Sequence, residues 1–478
     1  MKTSRLIISA IAMTVCMSVS AQTSFDAAKL YEEELNGTAR YVGMGGAMGA
    51  LGSDPSVISH NPAGIGTYRK SDINASVSVF GTSVSLDPKA TSSAPISSNG
   101  FTYYSHNYKS DIKSAFDNIS IVFSGADMGD NYLNVGFSWR RTQNMDRDMD
   151  YVDEFYDGEN YLRFREYRDH QVNKVNSIDF NLSYNLSDML YLGWTLGFIS
   201  TDTRSDGYIY DYYPENSHPL YPEGRDYTAV DKMNSSDGRG WYMALGAIVR
   251  PVTPLRLGIA VKTPVTFRQT LYYYDARYAI MDNPKDEDVD CSTEYKFTSP
   301  WTLDLSMGVT LGHTAFGAEL ERHFTQRSSL SVGNLKMDAQ GAAQFKDYSA
   351  IKLGIEQNIK NLSLRAGYNY IESMFNDNAF PILTDSDFNG WGYDANGQPV
   401  MWGRSDFMAD RRRSTQYLTA GLGYCSNPDW DGTQFYFDIA YVHGIRKNTL
   451  NVNEFSNDLD LLYNYRTDKV LFTLGWNF

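Results

Sequence analysis

The sequence predicts an all-β fold, a fourteen-stranded antiparallel transmembrane β-barrel, and three observations carry that prediction. Apolar and polar residues alternate with period two in segment after segment, down to Phe478. The connections between those segments alternate between short and long. The composition joins 14% aromatic residues and 38 Gly to 21% charged residues, a balance suited to strands with one face in lipid and one in water. After the N-terminus no run of about 18 apolar residues occurs, so a bundle of membrane helices is excluded. The net charge of −15 repels phosphate and excludes nucleic acid as a partner.

The alternation is clearest between Trp301 and Leu311. One face reads Trp301, Leu303, Leu305, Met307, Val309 and Leu311; the other reads Thr302, Asp304, Ser306, Gly308 and Thr310. Successive strand side chains point to opposite faces, so this ribbon has one greasy and one wet side. Ile178, Phe180, Leu182 and Tyr184 alternate with Asp179, Asn181, Ser183 and Asn185 in the same way. A soluble sandwich would not keep Asp and Asn on its dry inner face.

The expected strands lie near 72–84, 116–126, 130–142, 176–187, 190–204, 239–251, 254–268, 296–311, 314–325, 347–358, 361–372, 414–425, 433–444 and 467–478. Short turns are expected at 127–129, 187–189, 251–253, 312–313, 359–360 and 426–432. Long polar loops are expected at 85–115, 143–175, 205–238, 269–295, 326–346, 373–413 and 445–466. Short turns on one side and long loops on the other are the asymmetry of a bacterial outer-membrane barrel, and closure removes edges that lipid cannot hydrogen-bond.

Lys2 and Arg5, the apolar stretch Leu6 to Val19 and the small residues Ser20 and Ala21 read as a signal peptide over 1–21. Cys16 follows Val15 rather than a small residue, which argues against a lipoprotein site. Cys291 and Cys425 fall on opposite sides of the membrane in this topology and are expected as free thiols. Residues 22–71 do not alternate; small residues dominate up to Asn61-Pro62-Ala63-Gly64. No phosphate-binding motif is present there, and small residues permit tight packing against a wall. Pro62 can start a helix with Asn61 as its cap. The expected units are therefore a signal peptide at 1–21, an N-terminal hatch at 22–71 and the barrel at 72–478.

Gly37-Thr38-Ala39, Gly43 to Gly46, Ser53-Asp54-Pro55 and Asn61-Pro62-Ala63-Gly64 together resemble the N-terminus of the FadL-type outer-membrane transporters. That family carries long-chain fatty acids and aromatic hydrocarbons. The resemblance implies a barrel plugged by a hatch bearing the Asn-Pro-Ala motif, a monomer, and passive uptake of small hydrophobic molecules. It also implies sideways exit through a gap at a kinked third strand, where Gly136 is the candidate position. The alternating C-terminal strand ending in Phe478 resembles those read by the barrel-assembly machinery.

Inward-alternating charges include Asp179, Asp304, Glu319, Glu356 and Asp438 with Arg256, Lys262, Lys352 and Arg365. They form either a selectivity lining or a salt-bridged filling of the lumen. Arg140, Arg141, Arg411, Arg412 and Arg413 lie at loop-side strand ends, as contacts for lipopolysaccharide phosphates or as an ordinary solvated rim. Asp146-x-Asp148-x-Asp150 and the acidic run 286–290 lack the Gly and Glu of a calcium loop and read as solvated acid. His60 reads as a packed hatch residue rather than a haem ligand. Catalytic motifs, cofactor and metal are not expected. Besides hydrophobic uptake, with a pocket lined by aromatics such as Phe375, Phe380 and Trp391, an adhesive surface barrel and a general porin remain as competing readings.

Overall fold

A computed structural model describes residues 30, 32, 34–86, 101–105, 108–109, 112–127, 131–157, 160–213, 225–278, 287–332, 335–336, 345–376, 390–393, 399–402, 408–430, 432–454 and 457–478. The signal peptide, Phe380 and Asp286 lie outside the described residues, as do the side chains of Trp391, Arg411 and Cys291.

Fourteen antiparallel strands run in sequence order around a closed barrel. They are β1 Asp72–Leu86, β2 Lys113–Asp127, β3 Asn131–Asp157, β4 Asn160–Leu186, β5 Leu190–Tyr213 and β6 Arg225–Val252. β7 is Leu255–Lys262 continued by Thr266–Tyr278, β8 is Glu287–Thr298 continued by Thr302–Leu311, and β9 is Thr314–His323. β10 Tyr348–Ile359, β11 Leu362–Glu372, β12 Met408–Cys425, β13 Gln434–Glu454 and β14 Asn457–Asn477 complete the ring. β1 pairs with β14 from Asp72↔Asn477 to Leu86↔Tyr463, so the sheet has no edge.

Every strand puts large apolar side chains on the outside, among them Ile73, Phe137, Leu245, Met307, Leu353 and Trp476, each more than a third exposed. A continuous apolar exterior of this extent belongs in lipid. The inward positions are buried and largely polar, as at Asn134, Asp179, Asn181, Thr195, Glu319 and Thr473.

Two features depart from the sequence expectation. Several stretches expected as loops are paired strand: β3 and β4 pair up to Asp157↔Asn160, β5 and β6 up to Tyr213↔Arg225, and β13 and β14 up to Glu454↔Asn457. The ladder needs only backbone donors and acceptors, so it continues where the lipid-facing apolar pattern stops. In addition, the seventh and eighth strands are interrupted at 263–265 and 299–301. Pro264 and Pro300 sit in the two gaps; proline cannot donate to a ladder.

Candidate functional site in the lumen

The N-terminal segment is held together by its own caps. Thr38 accepts from the Tyr41 amide and starts the helix α1, Ala39–Gly43. Asp54 caps a 3-10 turn, Pro55–Ser59, and Asn61 caps a second, Pro62–Thr67, with the expected proline at its start. The Thr38 hydroxyl donates to Asp54 Oδ2 at 2.6 Å, tying the first cap to the second. Burial pushes the Asp54 carboxyl above its usual range, against the pull of the nearby Arg40 guanidinium.

The barrel wall is shaped to receive this segment. Gly308, Gly317, Gly354 and Gly367 are cross-strand partners on β8 to β11 and form one row on the inner face. A Cβ at Gly317 would lie 1.9 Å from the Ala47 carbonyl oxygen, and one at Gly367 would lie 2.2 Å from the Gly45 amide nitrogen. Glycine here lets two backbones touch. On the opposite wall, inward polar side chains donate to carbonyls of the short 3-10 turns. Ser183 Oγ donates to Pro62 O at 2.6 Å, Thr195 Oγ1 to Ile58 O at 2.8 Å and Asn134 Nδ2 to Ile65 O at 2.8 Å.

Charged residues complete the seat. Arg40 grips Glu356 with two nitrogens at 2.9 and 3.1 Å. Arg365 bridges Glu356 Oε2 at 2.6 Å and Asp438 Oδ1 at 2.5 Å. Arg256 donates to Leu51 O at 2.6 Å, and Lys352 pairs with Glu319 and Glu321. These inward charges thus hold the segment at separate points, through Arg40, Glu356, Arg365 and Asp438, through Lys352, Glu319 and Glu321, and through Arg256. His60 stacks on Tyr41 and shares a 2.7 Å hydrogen bond with Glu321.

The arginine expectation needs correction. Arg140 is buried and donates to Asp179 Oδ2 at 3.0 Å, inside the barrel. Arg412 is buried too and faces Glu32 at 3.6 Å. Neither can meet lipopolysaccharide. Arg141 lies over the Trp139 ring at 5.9 Å, and Arg413 is exposed. Phe375 packs with Phe345, Met374 and Tyr348. Asp146 and Asp148 stand beside His170, with Lys113 paired to Asp146 at 2.5 Å.

On the loop side of the segment the lumen carries an apolar patch. Val175, Ile199, Tyr242, Val265, Phe267 and Phe297 converge from β4 to β8, and Leu30 inserts among them. Phe267 and Phe297 stack at 6.3 Å. A cavity of about 40 Å³ remains beside Leu30, reaching Lys262, Thr302 and His323 at its floor. The patch adjoins the proline gaps, where Val265 O accepts from the Ser299 amide at 2.9 Å.

The wall also has a seam, displaced from the expected position. Gly136 pairs with Val122 on one side and Asn181 on the other, in an unbroken ladder. Its missing side chain makes room for Ile58. The β2–β3 ladder ends instead at Asn118↔Arg140, although both strands continue. There the N-terminal segment supplies the bonds: Glu34 N donates to Thr142 O at 3.0 Å and Asn36 Nδ2 to Arg141 O at 2.8 Å.

An outer-membrane barrel with a lumen filled by its own N-terminal segment is the class that this geometry defines. The profile of the family described as outer membrane protein transport protein (OMPP1/FadL/TodX) matches residues 16–395, and the chain belongs to that family. The family comprises passive outer-membrane channels for hydrophobic compounds, not enzymes. Among solved structures, a Pseudomonas aeruginosa FadL homologue is 12% identical over 93% of this chain and 99% of its own, with a TM-score of 0.57. The Ralstonia pickettii toluene transporter TbuX is 13% identical over the same shares, with a TM-score of 0.52. The Pseudomonas putida toluene transporter TodX is 11% identical over 93% and 98%, with a TM-score of 0.50. At these identities the likeness is one of fold. No curated protein matches in sequence.

Proposed function

We propose that this barrel takes up small, largely apolar molecules such as long-chain fatty acids or aromatic compounds, with residues 22–71 acting as the hatch. The observation that carries this reading is the patch of Val175, Ile199, Val265, Phe267 and Phe297, an apolar wall beside the loop-side cavity. A water-filled porin gains nothing from such a wall, whereas an apolar solute gains about 25 cal/mol for each Å² it removes from water. Leu30 already occupies part of the pocket, so an entering solute displaces it. The seam at Asn118 and Arg140 is the proposed exit, opened when Glu34 and Asn36 release β3.

Solvent extraction and mass spectrometry of the purified barrel test the proposal. A bound apolar molecule is expected in the wild type and is absent from Phe267→Asp. An empty wild-type barrel that gives large, steady conductance in a planar bilayer would refute it in favour of a porin.

A further inference from the structure

Beneath the apolar pocket lies a second cavity of about 20 Å³, lined by His60, Lys262, Thr302, Asp304, Glu321 and His323. That volume suits one water molecule or one ion. Three carboxylates, Asp304, Glu319 and Glu321, gather there with two lysines, Lys262 and Lys352. Asp304 stands directly opposite Glu321 in the β8–β9 ladder, with Glu319 on the same inner face, opposite Ser306. Carboxylates directly opposite each other on one face repel. Lys352 pairs with Glu319 and Glu321, at 2.7 and 2.5 Å, and makes no hydrogen bond to Asp304. Asp304 is 3% exposed, and neither of its carboxylate oxygens has a hydrogen-bond partner. Lys262, at the rim, lies 4.6 Å from the Tyr242 ring centroid. A buried carboxylate without a partner is costly, and either a proton or a bound cation relieves that cost.

The neighbouring groups can supply a coordination sphere. His60, Glu319 and Glu321 each offer a ligand atom within 4.8 Å of the others. Two opposed bonds of about 2.1 Å span about 4.2 Å, so small side-chain adjustments bring these atoms onto one metal. An imidazole nitrogen among carboxylate oxygens suits zinc or manganese better than calcium. We propose that His60, Glu319 and Glu321, with Asp304 facing the same cavity, form a divalent-cation site of the zinc or manganese type. The ion would tie the N-terminal segment, through His60, to β8 and β9, and so govern how readily that segment moves. This assignment does not depend on which solute the barrel carries.

The test is equilibrium dialysis of the tag-free, EDTA-stripped barrel in detergent against Zn²⁺ or Mn²⁺, with elemental analysis and thermal unfolding as readouts. The wild type is expected to take up one equivalent of at least one ion and to unfold at a higher temperature when loaded. Asp304→Asn and His60→Gln are each expected to weaken that binding by about tenfold or more. If Asp304→Asn fails to assemble, His60→Gln decides, because His60 lies on the segment and not in the wall. No saturable binding of either ion to the wild type, or equal binding by wild type and His60→Gln, overturns the site.

Discussion

On the turn side of the N-terminal segment, the lumen opens into a vestibule of about 490 Å³ whose walls carry Arg40, Asp72, Glu356, Arg365 and Asp438. On the loop side it narrows to about 40 Å³ among Val175, Ile199, Val265 and Phe267, with Leu30 filling the space. Different strands build the two regions, β1 and β10 to β14 the first and β3 to β5 with β7 to β9 the second, and their inward residues differ. The wide side is fastened by ion pairs that hold the segment. The narrow side adds apolar side chains that a hydrophobic solute can pack against.

Breaking the fastening is expected to have the largest effect. Glu356→Gln leaves Arg40 and Arg365 facing each other without their shared carboxylate. Loss of one partner from a buried ionic network costs about 3–5 kcal/mol, read as a lower unfolding temperature on heat-modifiability gels. Unchanged unfolding would show that the network does not hold the segment. Gly317→Val forces a side chain against the Ala47 carbonyl at a cost of about 3 kcal/mol. It is expected to lift the segment and raise ion conductance in planar bilayers while the barrel stays closed. A silent channel would mean that the glycine row is not the seat. Phe267→Ala probes the narrow side and should weaken binding of a fluorescent fatty acid by about tenfold, or about 1.4 kcal/mol, without changing conductance. Arg413→Ala, on the exposed rim, should alter lipopolysaccharide binding by no more than about 1 kcal/mol.

Much of the wall was legible because lipid imposes a strict pattern. Leu303, Leu305 and Met307 had to face out, and strand positions followed. Asn61 and Pro62 announced their turn by residue type. Strand ends were not legible, because the hydrogen-bond ladder outlasts the apolar face that marks it. Arg140 shares parity with the inward Asn134, Gly136 and Ser138, so its direction was readable. Arg412 was not, because the register slips between Arg412 and Ser414 and reverses the face expected from Thr415 and Tyr417. The glycine row had a sequence signal that went unread: Gly308, Gly317, Gly354 and Gly367 each interrupt a strand on its polar face, which marks a close backbone approach. The apolar patch had none, since it assembles from five strands far apart in sequence.

Permeation into proteoliposomes, comparing an apolar solute with a polar one of equal size, puts the two-sided lumen to its most direct test. The expected result is entry of a fatty acid or toluene, exclusion of the polar solute, and loss of entry in Phe267→Asp. Equal passage of both solutes, unaffected by Phe267→Asp, would contradict it.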